Sequence, residues 1–276
     1  MILDDTGTLA FLFLTMKSIN LSYGKVNFTL SENAIADTLR ARVPYESIPR
    51  RAFDAYQINN APVLVNRRRP SQENGWHGYN DIQISIAKYL FGGTNYLLEF
   101  NDYHVKKYRK EYTSMFAGMQ ADISIHSGIG FNIFAAPVSR YHVALNLQCS
   151  SRADAERLRD YWFETVTLRY LPVKRQKENT RYWNCKSYDG TGKPNQCFAI
   201  YPTGNNKLRL EYRRNNMASM RGIFSTKFAE RLTLENSFKC LTQPKTMNAI
   251  FWQTARHFFT IEDQEKIFGT FPAYSE

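Results

Sequence analysis

The stretch CFAIYPTGNNKLRLEYRR, residues 197–214, constrains the fold more than any other part of the chain. From Lys207 to Arg213 charged residues alternate with leucine and tyrosine, the period of a β-strand whose two faces meet different surroundings. The turn-forming PTGNN separates this run from a second strand-like run, CFAIY, so the stretch is predicted to be an antiparallel hairpin. Cys197, Ala199 and Tyr201 then share a face with Lys207, Arg209, Glu211 and Arg213, while Phe198, Ile200, Leu208 and Leu210 supply the core-facing side. With PTGNN as a five-residue loop, Tyr201 is expected opposite Lys207. A slip of one residue would exchange the two faces.

That shared face has chemical content. A tyrosine acts as nucleophile in phosphoryl transfer when cations neutralise the phosphate and a carboxylate takes the proton or holds a metal ion. An alternating Arg-Glu-Arg strand taken alone is more often a solvated charged face, so the hairpin cannot decide between the two readings by itself.

The neighbouring segments extend the sheet. NTRYWNCKS (179–187) reads as a strand carrying a second tyrosine, Tyr182, and PVSRYHVALNL (137–147) reads as an apolar strand interrupted by His142. SSRADAERLRDYWFETV (150–166) has a serine cap, Ser150 or Ser151, and places Ala155, Leu158, Trp162 and Val166 on one helical face. Residues 8–16 and 24–30 are expected as strands, and SENAIADTLRARV (31–43) as a short helix from its serine cap and apolar spacing. The basic run HVKKYRKEYTSMFAG (104–118) is read as a further helix. Past residue 215 the pattern is mainly helical, with Pro244 as punctuation.

The expected fold is therefore α+β, an antiparallel sheet with flanking helices and a helical C-terminal tail. Domain limits are drawn at 1–214 and 215–276. The strand–helix–strands order recurs in 1–125 and 126–214, which suggests a structural duplication without any residue-level repeat.

Charge narrows the partner. The chain of 276 residues carries 36 Lys and Arg against 25 Asp and Glu, a formal charge of +11, which points to nucleic acid first and an anionic membrane surface second. Its four cysteines are dispersed without a CxxC pair, as expected for reduced thiols in a cytoplasmic protein. The opening MILDDTGTLAFLFLTMKSIN lacks the basic start and long apolar run of a signal peptide, and no segment has the length of a membrane span. Arg67-Arg68-Arg69 and KKYRK (106–110) can grip phosphates without reading bases.

Taken in order, PYESIP (44–49), ISIAKYLFGGTN (84–95), VSRYHVAL, TRYWN, FAIY and LRLEYR resemble the gene II/X replication initiators of filamentous phages and, more distantly, the Rep_trans-type initiators of rolling-circle plasmids. The resemblance spans residues 44–213. It implies a metal-dependent, site-specific nickase and ligase that cuts origin DNA through a phosphotyrosine, leaves a 3′-hydroxyl for a polymerase, and later rejoins the strand. By motif, Tyr201 would be the nucleophile, Tyr182 the reserve candidate, and Glu211 a metal ligand or general base beside His142, with Mg²⁺ or Mn²⁺ as cofactor. DNA contacts would come from Lys186, Lys207, Arg209, Arg213, Arg140 and Arg67 to Arg69. Partners would be double- and single-stranded origin DNA and a host helicase or polymerase, in a bacterial cytoplasm.

Two departures stand out. His142 replaces the family's aspartate, exchanging a hard oxygen donor for imidazole and shifting metal preference toward Mn²⁺. Pro202-Thr203 stands where the family has a basic residue, so that Lys186, Lys207 or Arg209 must meet the phosphate. Two other readings remain at this level: a non-catalytic DNA-binding protein on the same scaffold, and a basic capsid or packaging protein.

Overall fold

A computed structural model describes residues 2–3, 9–10, 16–21, 24–30, 34–47, 63–68, 78–84, 135–184, 195–204, 206–215, 238–241 and 243–268. The predicted helix at 104–118, Lys186, Arg69 and most of ISIAKYLFGGTN lie outside the described residues.

Among these residues the architecture is one antiparallel sheet of ten strands with helices packed on it. The strands are β1 (Ile2–Leu3), β2 (Leu9–Ala10), β3 (Met16–Leu21), β4 (Gly24–Leu30), β5 (Ile35–Pro44), β6 (Val63–Arg68), β7 (Tyr79–Ile84), β8 (Val138–Cys149), β9 (Val173–Lys177), β10 (Thr180–Asn184), β11 (Gln196–Thr203) and β12 (Lys207–Arg214). β1 and β2 pair only with each other. The main path runs β6-β7-β5-β8-β12-β11-β10-β9, and the β3–β4 hairpin joins the end of β8 through β4. β8 is thus the central strand, hydrogen-bonded to β5 on one side and β12 on the other.

The helices are α1 (Arg152–Thr165), α2 (Phe238–Leu241), α3 (Pro244–Phe258) and α4 (Ile261–Phe268). α1 starts where predicted. Ser151 is the cap, its hydroxyl accepting from the Asp154 backbone N–H at 3.1 Å, which satisfies one of the amides a helix start leaves unpaired. Its apolar stripe is buried on the sheet, with Trp162 edge-on to Phe28 at 5.7 Å between ring centroids. The indole N–H of Trp183 on β10 donates to the Val166 carbonyl and fixes the end of α1 over the strand.

Pro244 opens α3 at the position where a missing N–H costs nothing. Phe258 and Phe259 meet Phe198 of β11 at 5.8 and 5.2 Å, and the Tyr141 hydroxyl of β8 donates to the Leu241 carbonyl at 2.9 Å. The Asn248 side chain accepts the Ala34 backbone N–H at 2.6 Å, tying α3 to the entry of β5. The C-terminal helices therefore share one hydrophobic core with the sheet, on the face that carries Val143, Leu145, Phe198, Ile200, Leu208, Leu210 and Tyr212.

Residues 35–44 correct one expectation, because the predicted helix over 31–43 is strand β5. Leu39 and Val43 stand four residues apart, and four is an even number, so the spacing fits one face of a strand as well as a helix. The deciding signal is the strict alternation from Thr38 to Val43, in which Leu39, Ala41 and Val43 are buried while Arg40 and Arg42 point the other way. A register shift between Ala36 and Thr38 sets this alternation against β8. The helix that the suggested duplication needed in the N-terminal half is absent from this segment.

Candidate functional site

Tyr201 pairs with Arg209, not with Lys207, which lies opposite Thr203. β11 runs two residues further than predicted for a loop beginning at Pro202, and the turn is closed by Asn206 at φ 58°. Asparagine tolerates that left-handed conformation. β10 pairs with β11 only as far as Ile200, so Pro202, which has no N–H to donate, sits beyond that pairing. The shift moves the register by two residues, so every side chain keeps its predicted face.

The face opposite the helices gathers the candidate residues. Glu211 lies between two alanines, Ala199 on β11 and Ala144 on β8. Their short side chains leave room above the sheet for the longer diagonal neighbours to close on the carboxylate. The Tyr201 hydroxyl donates to Glu211 Oε2 at 2.8 Å, and Arg213 Nη2 donates to the same oxygen at 2.7 Å. Nδ1 of His142, directly across from Arg213 on β8, approaches Oε1 to 3.2 Å. Oε1 is buried, and His142 is the group that faces it.

Tyr182 stands across Ala199 from Glu211, and the Arg213 guanidinium reaches both tyrosines, 5.6 Å from the Tyr182 ring centroid and 5.8 Å from that of Tyr201. Tyr201, Tyr182, Glu211, Arg213 and His142 thus form one cluster, drawn from β8, β10, β11 and β12.

The row is not a solvated face. Glu211 is 1% exposed, Arg209 2% and Lys207 4%. Arg209 donates through Nε to Asn146 Oδ1 at 3.0 Å, so it is held within the sheet face. Burial alone would raise the Glu211 pKa, but His142 and the Arg213 charge outweigh it and hold the carboxyl well below the usual range. Arg213 is reciprocally held charged: burial opposes its charge, and Glu211 more than compensates.

Along the same face the positive charge continues. Arg140 lies two residues before His142 on β8 and opposite Arg40 of β5. Arg40 and Arg42 approach Asp81 of β7 at 3.6 and 3.3 Å, and Arg42 also stacks 3.7 Å from the Tyr79 ring centroid. These two arginines were missed by reading their segment as a helix; the alternation that makes it a strand was the signal. Arg67 and Arg68 end β6, the strand at the far end of the path, paired with Asn80 and Tyr79.

As a metal centre the described donors fit poorly. Among the described residues no third His, Cys, Asp or Glu joins His142 and Glu211. The Arg213 guanidinium already occupies Oε2 of Glu211, and a divalent ion on that carboxylate would have to share it with a fixed positive charge.

These features define an α+β protein with a helix-backed antiparallel sheet and a buried tyrosine–carboxylate–guanidinium cluster on the sheet face opposite the helices. No family model, curated protein or solved structure matches the chain. No helix among the described residues is long and apolar enough to cross a membrane.

Proposed function

We propose that the chain nicks and rejoins DNA at a replication origin through a covalent link between Tyr201 and the DNA 5′ end, as an initiator of rolling-circle replication. The observation that carries this reading is the Tyr201 hydroxyl hydrogen-bonded to Glu211, with the Arg213 guanidinium bonded to the same oxygen. A carboxylate that fixes the phenol hydroxyl and a guanidinium that faces its ring are the two partners that a tyrosine attacking a phosphodiester calls for.

In this reaction Tyr201 Oη forms a bond to phosphorus while the bond from phosphorus to the 3′ oxygen breaks, and that oxygen leaves with the electron pair. The phenol proton passes to water, and the 3′ oxygen takes a proton from water, so charge and atoms balance. Joining is the reverse, with the 3′-hydroxyl displacing tyrosine. Glu211 positions the phenol; its depressed pKa makes it a weak base. Arg213 meets the charge on the phosphate. No step is assigned to a metal ion, and Tyr182, on the other side of Arg213, is the second hydroxyl from which a covalent link could form.

The test is a protein–DNA adduct that survives denaturing electrophoresis after incubation with supercoiled plasmid carrying the cognate origin, with Mg²⁺, Mn²⁺ or EDTA in parallel. Tyr201→Phe is expected to abolish the adduct and Tyr182→Phe to retain it. Nicking that persists in the double variant overturns the assignment. DNA binding without an adduct in any condition supports instead a binding protein on the same scaffold.

A further inference from the structure

Among the described residues, several polar atoms on the candidate face are buried with no hydrogen-bond partner, and three of them are neighbouring nitrogens around Glu211: Arg140 Nε, His142 Nε2 and Arg213 Nε. They are neighbours by register. His142 and Arg213 pair directly across β8 and β12, and Arg140 is two residues along β8 on the same face. Buried N–H groups without acceptors are costly, typically about 1–3 kcal/mol each, and are retained where something else satisfies them.

The charge around them is unbalanced in the same sense. Among the described residues, four guanidiniums, Arg40, Arg42, Arg140 and Arg213, stand against two carboxylates, Asp81 and Glu211, and each carboxylate already has its arginine. Arg140 has the least compensation. Burial, then repulsion from Arg40, depresses its pKa; Asp81 opposes this and Arg213 adds to it. Other arginines with a bare Nε differ. Arg40 spends its terminal nitrogens on Gln83 and Asp81, and Arg157 spends its own on Asp154 and the Gly24 carbonyl.

We propose that Arg140, His142 and Arg213 form a phosphate-binding site beside Tyr201, which holds a phosphodiester by charge and by hydrogen bonds from these three side chains. The site rests on the nicking-and-joining reading for the identity of its phosphate. Arg140 and Arg213 offer Nε–H donors of fixed direction, the geometry in which guanidinium recognises phosphate oxygens. His142 adds Nε2, a donor when the ring carries its proton there. Arg213 faces the Tyr201 ring and bonds its carboxylate partner, so a phosphate on Arg213 lies within reach of the phenol oxygen. The guanidiniums then supply the electrostatic stabilisation that a divalent ion supplies elsewhere, and the covalent step proceeds in EDTA.

The full chain, treated with EDTA, is titrated with inorganic phosphate at constant ionic strength by calorimetry, while histidine ring signals are followed by NMR. The expected result is one phosphate per chain, a shift of the ring signal that is missing in His142→Gln, and affinity lowered about tenfold or more in Arg140→Gln. Arg140→Lys, which keeps charge but not the planar donors, should fall between, which guards against a variant that merely misfolds. The proposal is overturned by no binding, by binding that leaves the His142 signal in place or is indifferent to Arg140→Gln, or by binding that needs Mg²⁺ or Mn²⁺. Phosphate binding without any DNA adduct sinks the nickase reading and keeps the site. An adduct that forms only with a divalent ion, with no phosphate bound, does the reverse.

Discussion

Glu211 is the residue on which the candidate site turns, since it accepts from Tyr201 and Arg213 on one oxygen and faces His142 with the other. Glu211→Gln removes the buried charge that Arg213 requires, at a cost of about 3 kcal/mol, read from the urea midpoint at neutral pH. The pH dependence follows from the depressed pKa. Ionised Glu211 contributes its full stability above about pH 4.5, the unperturbed value, and loses it as pH falls toward the lower native value. The wild type should therefore lose stability through the acid range below pH 4.5 by a component that the Gln variant lacks; identical acid limbs would refute the ion pair. At this scale the sequence was legible in part. Parity alone put Tyr201, Glu211 and Arg213 on one face, and a two-residue error in register left that unchanged. The burial of the row was not legible, because alternation reports that two faces differ and not which of them meets water. Nor could it show that Arg209 is bound to Asn146 rather than presented to a ligand.

Between strands, the two alanines beside Glu211 set the geometry. Ala199 and Ala144 are wholly buried, and a larger side chain at either would push the carboxylate from its partners. Ala199→Leu is expected to cost about 1–3 kcal/mol by overpacking, and to abolish the DNA adduct even at a temperature where circular dichroism reports a folded protein. An unimpaired adduct would remove the alanines from the account. Ser151→Ala, far from the cluster, should cost about 1 kcal/mol through the lost cap and leave the adduct unchanged. The cap and stripe of α1 were readable because a 14-residue amphipathic helix repeats its signal several times. β5 was misread because its apolar positions satisfy both periods, and only its pairing with β8 and β7 makes the strand the better solution. Local pattern carries no record of a partner about a hundred residues away.

Over the whole molecule, the sheet and the C-terminal helices form a single core, so a chain ended after residue 215 should not fold to a cooperative state. Native-like thermal unfolding of that truncation would support the boundary drawn from sequence as a limit of independent folding. The fold class and the helical tail were legible from periodicity; their shared core was not, since it rests on side-chain pairs such as Phe198 with Phe258. The net charge of +11 predicts DNA affinity that falls steeply with salt. Arg42→Ala, at a position where the side chain is about half exposed, should reduce the slope of log K against log salt by about 0.7 for single-stranded DNA if that arginine neutralises one phosphate. The tie between Ala34 and Asn248 spans 214 residues of sequence. Such separations raise contact order and delay folding until distant segments can meet. During synthesis β8 to β12 leave the ribosome while the helices that cover their apolar side are still unmade. Every strand that carries the reactive cluster thus waits for the last stretch of chain before its surroundings are complete, and a prematurely terminated product should expose its apolar sheet face to chaperones instead of assembling a working tyrosine.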